Sequence, residues 1–206
     1  MDQARFESMY EQKPPWDIDR PQPEFVRLEE GGEIKGSVLD VGCGTGEHAL
    51  YLASRGHEVW GIDFVPTAIE KAREKARKRG LSVNFLVGDA LKLGALGRTF
   101  DTVIDCGLFH TFDDAQRAPF PSSLASALRP GGVYHMLCFS DREPGTEGPR
   151  RLSQQEIRDT FKHGWEVRSI QPMQFEVNEL PPDMPPFSAG GPHGWLATIV
   201  RTGKST

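Results

Sequence analysis

The chain has 206 residues and a formal net charge of −5, which suits one domain with a core large enough to fold on its own. This acidic balance is unlike that of proteins that grip nucleic acid through a basic surface, so we expect no nucleic-acid partner. No apolar run reaches the roughly 18 residues of a membrane span and the N-terminus lacks a signal-peptide pattern, which together predict a cytoplasmic protein with no membrane partner.

Cysteine usage and the proline and glycine content add two constraints. The three cysteines are far apart and have no CxxC spacing, so we interpret them as reduced thiols and expect no metal site. The chain contains 22 glycines and 16 prolines, more than average usage. Many of them fall in residues 14–23 and 181–194, two irregular segments on either side of a regular core.

Short apolar runs alternate with amphipathic segments from residue 37 onward. This alternation predicts βαβ units and a parallel sheet with right-handed crossovers. The predicted strands are 37–41, 58–63, 83–87, 100–106, 133–139, 165–171 and 195–201, and the predicted helices are 47–55, 67–79, 122–128 and 154–161. Before them, residues 1–36 lack clean periodicity apart from a short helix that starts near Pro23. The fold class is therefore α/β.

A glycine loop follows the first strand and opens a helix, as Asp40-Val41-Gly42-Cys43-Gly44-Thr45-Gly46. Ligands of open parallel sheets bind beyond the carboxyl ends of the strands, where glycines let them approach the backbone. The G-x-G-x-G spacing differs from the dinucleotide fingerprint. Asp63 ends the second strand, where an acid can accept both hydroxyls of a ribose, and Gly88-Asp89-Ala90 ends the third.

These motifs resemble those of the class I S-adenosylmethionine-dependent methyltransferases. The resemblance covers about residues 37–140 and is carried by VLDVGCGTG, Asp63, GDA, FDTVIDCGLFH and LRPGGVYHMLCF. It implies a Rossmann-like, seven-stranded and mostly parallel sheet with helices on both faces, S-adenosylmethionine as cofactor and S-adenosylhomocysteine as product. The cofactor-binding residues that it implies are Trp16, Asp40, Gly42, Gly44, Gly46, Asp63, Phe64, Asp89, Ala90, Asp105 and Cys106.

Within that set the resemblance assigns the methionine part of the cofactor to the glycine loop and Asp40. Asp63 is the ribose acid, the segment around Asp89 contacts adenine, and a backbone carbonyl near Asp105 or Cys106 receives the amino group. An ammonium and a sulfonium also suit a loop that starts with an acid better than a phosphate does. The open alternatives are a solvated or capping role for Asp63 and a turn-forming role for Asp89.

The N-terminal segment PPWDIDRPQP resembles the lid of thiopurine-type methyltransferases and of bacterial relatives that methylate heteroaromatic or quinone-like toxins. Trp16 is predicted to cover the cofactor or the acceptor, or alternatively to plug the core. Arg20 is either the polar anchor of this lid or a surface arginine. We expect one domain over residues 1–206, with the lid in 1–36, the cofactor core in 37–140 and the acceptor side in 141–206.

The acceptor is expected to lie past the fourth strand. His110 is the candidate catalytic residue, able to take a proton from a hydroxyl or to orient it, unless it is a loop histidine bonded to the backbone. Phe109, Phe187 and His193 are further candidate substrate contacts, and the Pro/Gly-rich insert Leu180 to Gly194 would form the pocket, together with Met184 and Trp195. Phe112 and Phe120 are either walls or ordinary core.

The sequence therefore predicts methyl transfer to oxygen, nitrogen or sulfur of a small (hetero)aromatic molecule such as a quinolone, phenol or quinol, by a monomer or homodimer. A thiol or tellurite methyltransferase is the alternative among enzymes of this type. A module that binds S-adenosylmethionine without catalysis and an NAD-dependent oxidoreductase are the alternatives from other classes. The charged segment EKAREKARKR is interpreted as a solvated helix face rather than as a nucleic-acid surface.

Overall fold

A seven-stranded sheet forms the centre of the protein in a computed structural model that describes residues 3–180 and 186–203. Its strands are β1 Val38–Val41, β2 Val59–Asp63, β3 Asn84–Val87, β4 Phe100–Cys106, β5 Leu128–Phe139, β6 Trp165–Gln174 and β7 His193–Arg201. They lie in the order β3-β2-β1-β4-β5-β7-β6. Strands β1 to β5 are parallel, and β7 runs antiparallel to both β5 and β6. The predicted fold class is confirmed.

Seven helices and two 3₁₀ turns connect the strands in the described part of the chain. The helices are α1 Gln3–Glu11, α2 Pro23–Glu30, α3 Glu47–Ser54, α4 Pro66–Arg79, α5 Asp114–Arg117, α6 Phe120–Ala127 and α7 Gln154–Thr160, and the 3₁₀ turns are Ala90–Leu96 and Phe109–Thr111. Successive residues of the central strands point to opposite faces of the sheet. Leu39 and Val103 join one apolar cluster and Val38 and Ile104 the other, so both faces are covered.

The strand order reverses between β1 and β4, because the chain builds outward through β2 and β3 and then returns to add β4 on the other side of β1. Such a switch point opens a crevice at the carboxyl ends of the two strands. The loops after Val41 and Cys106 meet there. This crevice is where the glycine loop and the loop that carries His110 come together.

The first helix was not predicted, because QARFESMYE has few apolar residues and no capping signal. Tertiary contacts stabilise it instead: Tyr10 is buried with Val65 and Ala68, and Phe6 packs edge-on against Phe64 with ring centroids 5.6 Å apart. α1 is thereby held against α4, beside the glycine loop.

Arg129–Gly132, the residues between the predicted helix 122–128 and the predicted strand 133–139, form a bulge inside β5. Phe100 pairs with Leu128 but Thr102 pairs with Val133, so the four residues of Arg-Pro-Gly-Gly are looped out of the register. Proline cannot donate to a sheet ladder and glycine accommodates the bend, which explains the irregularity.

Hydrogen bonds join the N-terminal segment to the chain that follows β6. The backbone N–H of Asn178 donates to the carbonyl oxygen of Pro15 at 2.8 Å, and its side-chain amide donates to that of Asp17 at 2.8 Å. Gln22 and Glu176 exchange two further bonds of 2.8 and 2.9 Å. Residues 15–22 are therefore joined to residues 176–178 by these four hydrogen bonds. Among the described residues, no helix is long and apolar enough to cross a membrane.

Candidate functional site

The glycine loop turns sharply between β1 and α3. Gly44 has a φ of +53° and a Cβ there would lie 2.7 Å from the hydroxyl oxygen of Tyr10. Gly46 has a φ of +86° and a Cβ there would lie 2.6 Å from the ring of Phe85. Left-handed backbone and close neighbours both require glycine at these two positions. Gly42, also left-handed, packs in the same way against Leu108.

Asp40, the last polar residue of β1, has a buried carboxylate. Neither of its oxygens has a donor in hydrogen-bond geometry within residues 3–180 and 186–203, although the nearby backbone N–H of Ala49 favours the charged form. Burial, followed by the nearby carboxylate of Asp105, raises the pKa of Asp40 well above its usual value. A buried acid without a partner is costly unless a ligand supplies one. The site therefore fits a cationic group at the start of the glycine loop.

Asp63 ends β2 beside this loop. One carboxylate oxygen accepts the N–H of Gly44 at 2.8 Å and the other accepts the N–H of Val65 at 2.9 Å. These bonds fix the side chain against the glycine loop and leave each oxygen a free lone pair, because a carboxylate oxygen accepts two bonds. Burial raises the pKa of Asp63 in spite of these bonds. Its carboxylate is not a solvated surface group.

Asp89 has a different environment at the end of β3. Its side chain accepts the N–H of Leu91 at 2.8 Å and caps the 3₁₀ turn that follows. The carboxylate is half-exposed, with the Lys92 ammonium 3.8 Å away. The turn-forming role that the sequence left open is thus present. Ala90 is buried in the core, whereas Phe64 contacts Phe6 at the edge of the crevice.

An aromatic cover lies over the glycine loop. The indole N–H of Trp16 donates to the Tyr10 hydroxyl at 3.1 Å, and the two rings meet edge-on at 6.2 Å. Trp16 itself is 43% exposed, so it does not plug the core; it reaches the loop through Tyr10, a residue that sequence reasoning missed. The Thr45 hydroxyl, in the glycine loop, donates to Asp17 at 2.7 Å. Arg20 pairs with Glu176 at 2.8 Å, and its side chain is 57% exposed, so the lid anchor and the surface arginine both stay open.

The end of β4 places Asp105 and Cys106 next to Asp40. The carboxylate of Asp105 accepts the N–H of Leu108 at 2.7 Å, the N–H of Phe109 at 3.1 Å and the hydroxyl of Tyr134 at 2.7 Å. Burial raises its pKa to about 7 although these bonds favour the charged form. Asp105 thereby organises the turn that carries His110. Cys106 is partly buried, and burial raises the pKa of its thiol.

His110 sits in that turn among aromatic rings. Its Nδ1 accepts the N–H of Phe139 at 2.9 Å. The imidazole lies 5.0 Å from the ring of Phe139 and 6.3 Å from that of Phe175, and Phe139 also contacts Phe187 at 5.6 Å. Burial, followed by the charge of Arg151, lowers the pKa of His110 to about 3. The backbone bond that the sequence left open is therefore present, and two phenylalanine rings pack against the imidazole.

The structure does not place Phe109 where it could contact a substrate. Its ring is fully buried between Phe120 and Phe161, with centroids 5.8 Å from each, which leaves no surface for a substrate. Phe112, Phe120 and Trp195 likewise belong to the core. Asp105 causes this arrangement, because it turns the chain after β4 so that residue 109 points inward. The rings nearest to His110 are those of Phe139 and Phe175, and Phe187 packs against Phe139.

The insert is fixed by an acid that the sequence did not reveal. Both carboxylate oxygens of Glu143 accept backbone N–H groups, from Ser188 at 3.0 Å and from His193 at 2.8 Å. His193 also uses its carbonyl oxygen to accept the N–H of Ser140 at 3.0 Å. The backbone of His193 thus anchors the insert beside the aromatic site. Met184 lies outside the described residues.

The remaining histidines are structural where the structure defines their contacts. His48 accepts the N–H of Gln22 at 3.2 Å and His135 contacts the Thr198 hydroxyl at 3.1 Å. Burial lowers the pKa of each to about 4. Across residues 3–180 and 186–203, no group of three acidic, histidine or cysteine side chains is arranged to hold a metal ion.

Comparison with known proteins shows the family to which the chain belongs. Residues 38–132 match the family model of a methyltransferase domain. The chain is 40% identical over 169 residues to the 2-heptyl-1-hydroxyquinolin-4(1H)-one methyltransferase of Mycobacteroides abscessus, covering 81% of this chain and 74% of the relative. The chain belongs to the class I S-adenosylmethionine-dependent methyltransferases. Its cofactor is S-adenosylmethionine, whose positive charges suit the acidic site at Asp40. The dehydrogenase alternative is excluded.

Two further relatives of the methyltransferase concern sulfur chemistry. A solved structure described as "Conversion of a Disulfide Bond into a Thioacetal Group during Echinomycin Biosynthesis" superimposes with a TM-score of 0.87 and 39% identity, covering 99% of this chain and 94% of that one. A probable thiol methyltransferase of Arabidopsis thaliana is 30% identical, over 76% of this chain and 70% of its own length.

Proposed function

We propose that this methyltransferase methylates an oxygen of a small, planar, hydroxylated heteroaromatic molecule of the quinolone type. The observation that carries the proposal is the group of rings at the end of β4 and β5, where Phe139 and Phe175 pack against the imidazole of His110 and Phe187 packs against Phe139. Flat aromatic ligands are bound by such rings, with a few polar groups that orient them. The hydroxyquinolone named for the Mycobacteroides relative has this chemistry.

On the cofactor side we propose that Asp40 accepts the ammonium group of S-adenosylmethionine, since its carboxylate lacks any other partner in the described residues. The backbone of Gly42, Gly44 and Gly46 would hold the methionine part, and the free lone pairs of Asp63 the ribose hydroxyls. Further proposed contacts are Phe64, Asp89 and Ala90 to adenine, a carbonyl at Asp105 or Cys106 to the ammonium, and Trp16 as the cover through Tyr10.

The cofactor supplies a methyl group that its sulfonium makes electrophilic. The chain therefore has to align an acceptor with it and to exclude water, and such positioning is worth about 7–11 kcal/mol in well-oriented reactions. In our proposal Tyr10 and Trp16 cover one side of the crevice, and residues 186–194, whose backbone is held by Glu143, cover the other. His110, in the same proposal, orients the acceptor.

Mass spectrometry of the products tests this function. The protein is incubated with methyl-deuterated S-adenosylmethionine and a panel of 1-hydroxyquinolones, 3-hydroxyquinolones, phenols, quinols and thiols. We expect the deuterated methyl group on an oxygen of the hydroxylated heteroaromatics. Turnover confined to thiols, or cofactor binding with no turnover at all, would contradict the proposal; the second result is the one expected of a non-catalytic binding module.

A sulfur acceptor is the second candidate. It is favoured by the 39% identity to the protein of the disulfide-to-thioacetal structure and by the similarity to the probable thiol methyltransferase. The same rings suit a polarisable sulfur, which makes favourable contacts with aromatic edges. Methylation of disulfides or thiols in the panel would support this candidate, and we rank it second because the aromatic site has a hydrogen-bond donor suited to oxygen.

We also propose that the protein acts in the cytoplasm, as a monomer or homodimer and without nucleic acid. Its three cysteines, Cys43, Cys106 and Cys138, are all free thiols, which suits a reducing compartment. Size-exclusion chromatography with light scattering tests the oligomeric state, and a disulfide found in the purified native protein would argue against the location.

A further inference from the structure

One hydrogen bond fixes the position of the proton on His110. Nδ1 accepts the backbone N–H of Phe139 at 2.9 Å, and a neutral imidazole carries its proton on the nitrogen that does not accept. Nε2 is therefore protonated, and it lies 3.1 Å from the point that a Cβ on Gly107 would occupy, at the end of β4. His110 offers the crevice an N–H donor at Nε2 and no lone pair.

The surroundings of His110 oppose a second proton. The ring is buried, and the elements packed against it contribute the rings of Phe139 and Phe175. The charged groups nearby are the Arg151 guanidinium, which disfavours an imidazolium, and the Asp105 carboxylate, which is engaged by Leu108, Phe109 and Tyr134. A neutral histidine with its only lone pair in use is a poor general base.

Arg151 supplies a positive charge that forms no salt bridge in the described part of the chain, although, after backbone hydrogen bonds, it lowers the pKa of the nearby exposed carboxylate of Glu147. It donates to the carbonyl oxygens of Glu147 at 2.6 Å, Pro149 at 2.7 Å and Pro144 at 3.1 Å, and it lies 5.5 Å from the ring of Phe139. Its Nε is buried without a partner among those residues. The adjacent Arg150 differs, because it pairs with Asp114 and Glu156 at 2.6 Å each.

A neutral donor and a cation without a salt bridge flank the ring of Phe139. Together they stabilise negative charge, since hydrogen bonds to a charged group are stronger than those to a neutral one and buried charges are weakly screened. We propose that the acceptor is bound as an oxyanion, an acidic N-hydroxyl, enol or phenol that has already lost its proton to solvent, held by the Nε2–H of His110 in the field of Arg151.

This inference rests on the proposed function and specifies its chemistry. The bound oxygen already carries the electron pair that forms the new bond to the methyl carbon. As the bond from that carbon to sulfur breaks, its electron pair returns to sulfur. No proton leaves during the transfer, so no base is needed. His110 is then a catalytic residue that orients and stabilises the anion, and Arg151 is a positioning residue that acts through the electrostatic field.

Two pairs of variants separate this role from base catalysis. In H110Q the amide keeps an N–H donor near the position of Nε2, so kcat/KM should stay within about fivefold of wild type, whereas H110A should lose at least about tenfold. If His110 were a base, both variants would lose activity alike. R151M should raise KM for the ionised acceptor by about tenfold, and R150M, in the neighbouring ion pairs, should not; an unchanged KM in R151M would contradict the role of the charge.

The decisive experiment varies the acidity of the acceptor in the wild-type protein. The pH profile of kcat/KM is measured for 1-hydroxyquinolin-4-one and a series of phenols whose own pKa values differ. We expect the rising limb of each profile to move with the pKa of the acceptor. A limb at one pH for every acceptor would assign proton removal to the enzyme and overturn the inference while leaving the proposed function intact. Absence of turnover with every hydroxylated aromatic, in a protein that binds the cofactor, would overturn both.

Discussion

The two sides of the crevice are built in different ways. The cofactor side takes Asp40, the glycine loop and Asp63 from one strand-loop-helix-strand unit, and its geometry follows from left-handed glycines and buried carboxylates. The acceptor side gathers His110 from a 3₁₀ turn, Phe139 from the end of β5, and Glu143 and Phe187 from the segments that follow, joined by contacts over as many as 50 residues of sequence. The first side is encoded in one continuous stretch of the chain, and the second depends on contacts between distant segments.

If this contrast is correct, substitutions in the glycine loop should mainly lower the free energy of unfolding. In G46A the new methyl group would lie 2.6 Å from the ring of Phe85, so we expect about 3 kcal/mol of destabilisation from overpacking and left-handed strain. G56A is the control, because Gly56 is also left-handed, with a φ of +98°, but has nothing within 4 Å. Urea unfolding measures both, and equal losses would show that Phe85 does not constrain the loop.

The carboxylate beneath the acceptor turn makes stability depend on pH. Burial raises the pKa of Asp105 to about 7, whereas an exposed aspartate titrates near about 3.9. Between these values the folded chain binds more protons than the unfolded chain, so stability falls as pH rises, by up to about 1.4 kcal/mol per pH unit. D105N lacks this contribution. Across that window the stability difference should therefore shift in favour of D105N as pH rises, and a difference independent of pH would contradict the assignment.

Changes on the acceptor side should alter acceptor binding without affecting the cofactor. E143Q replaces one of the two oxygens that accept the N–H groups of Ser188 and His193, and a buried N–H left unpaired costs about 1–3 kcal/mol. We expect KM for the acceptor to rise about tenfold while the affinity for S-adenosylhomocysteine stays constant. E74Q, on the exposed face of α4 where Glu74 pairs with Lys78, serves as the control. A parallel loss of cofactor affinity would mean that the two sides are not separable.

The smallest effect is expected at the aromatic cover. W16F removes the indole N–H that donates to Tyr10 at 3.1 Å but keeps an aromatic ring. One such bond is worth about 1 kcal/mol, so the cofactor should bind about fivefold more weakly. Calorimetry with S-adenosylhomocysteine measures this. An unchanged affinity would place Trp16 outside the cofactor site.

The sequence predicted most of the fold because its strands and helices have clear periodicities and glycine ends. It missed α1, which depends on contacts of Tyr10 with α4 rather than on its own propensity. It identified the acids and glycines of the cofactor side, since these lie in short motifs. It could not identify Glu143 or Arg151, whose roles depend on contacts with distant loops, and it misplaced Phe109 because the inward turn made by Asp105 leaves no pattern in the chain.

The account depends most on Asp40, whose buried carboxylate at the end of β1 is proposed to bind the cationic end of the cofactor. Calorimetry of wild type, D40N and D159N with S-adenosylmethionine, alongside their thermal unfolding without it, tests this most directly. We expect D40N to bind about thirtyfold more weakly, the loss of a charged hydrogen bond, without any lowering of its melting temperature, because the amide removes repulsion from Asp105. D159N, which changes an exposed acid of α7 paired with Lys162, should resemble wild type in affinity. Equal affinity of D40N and wild type would contradict the account.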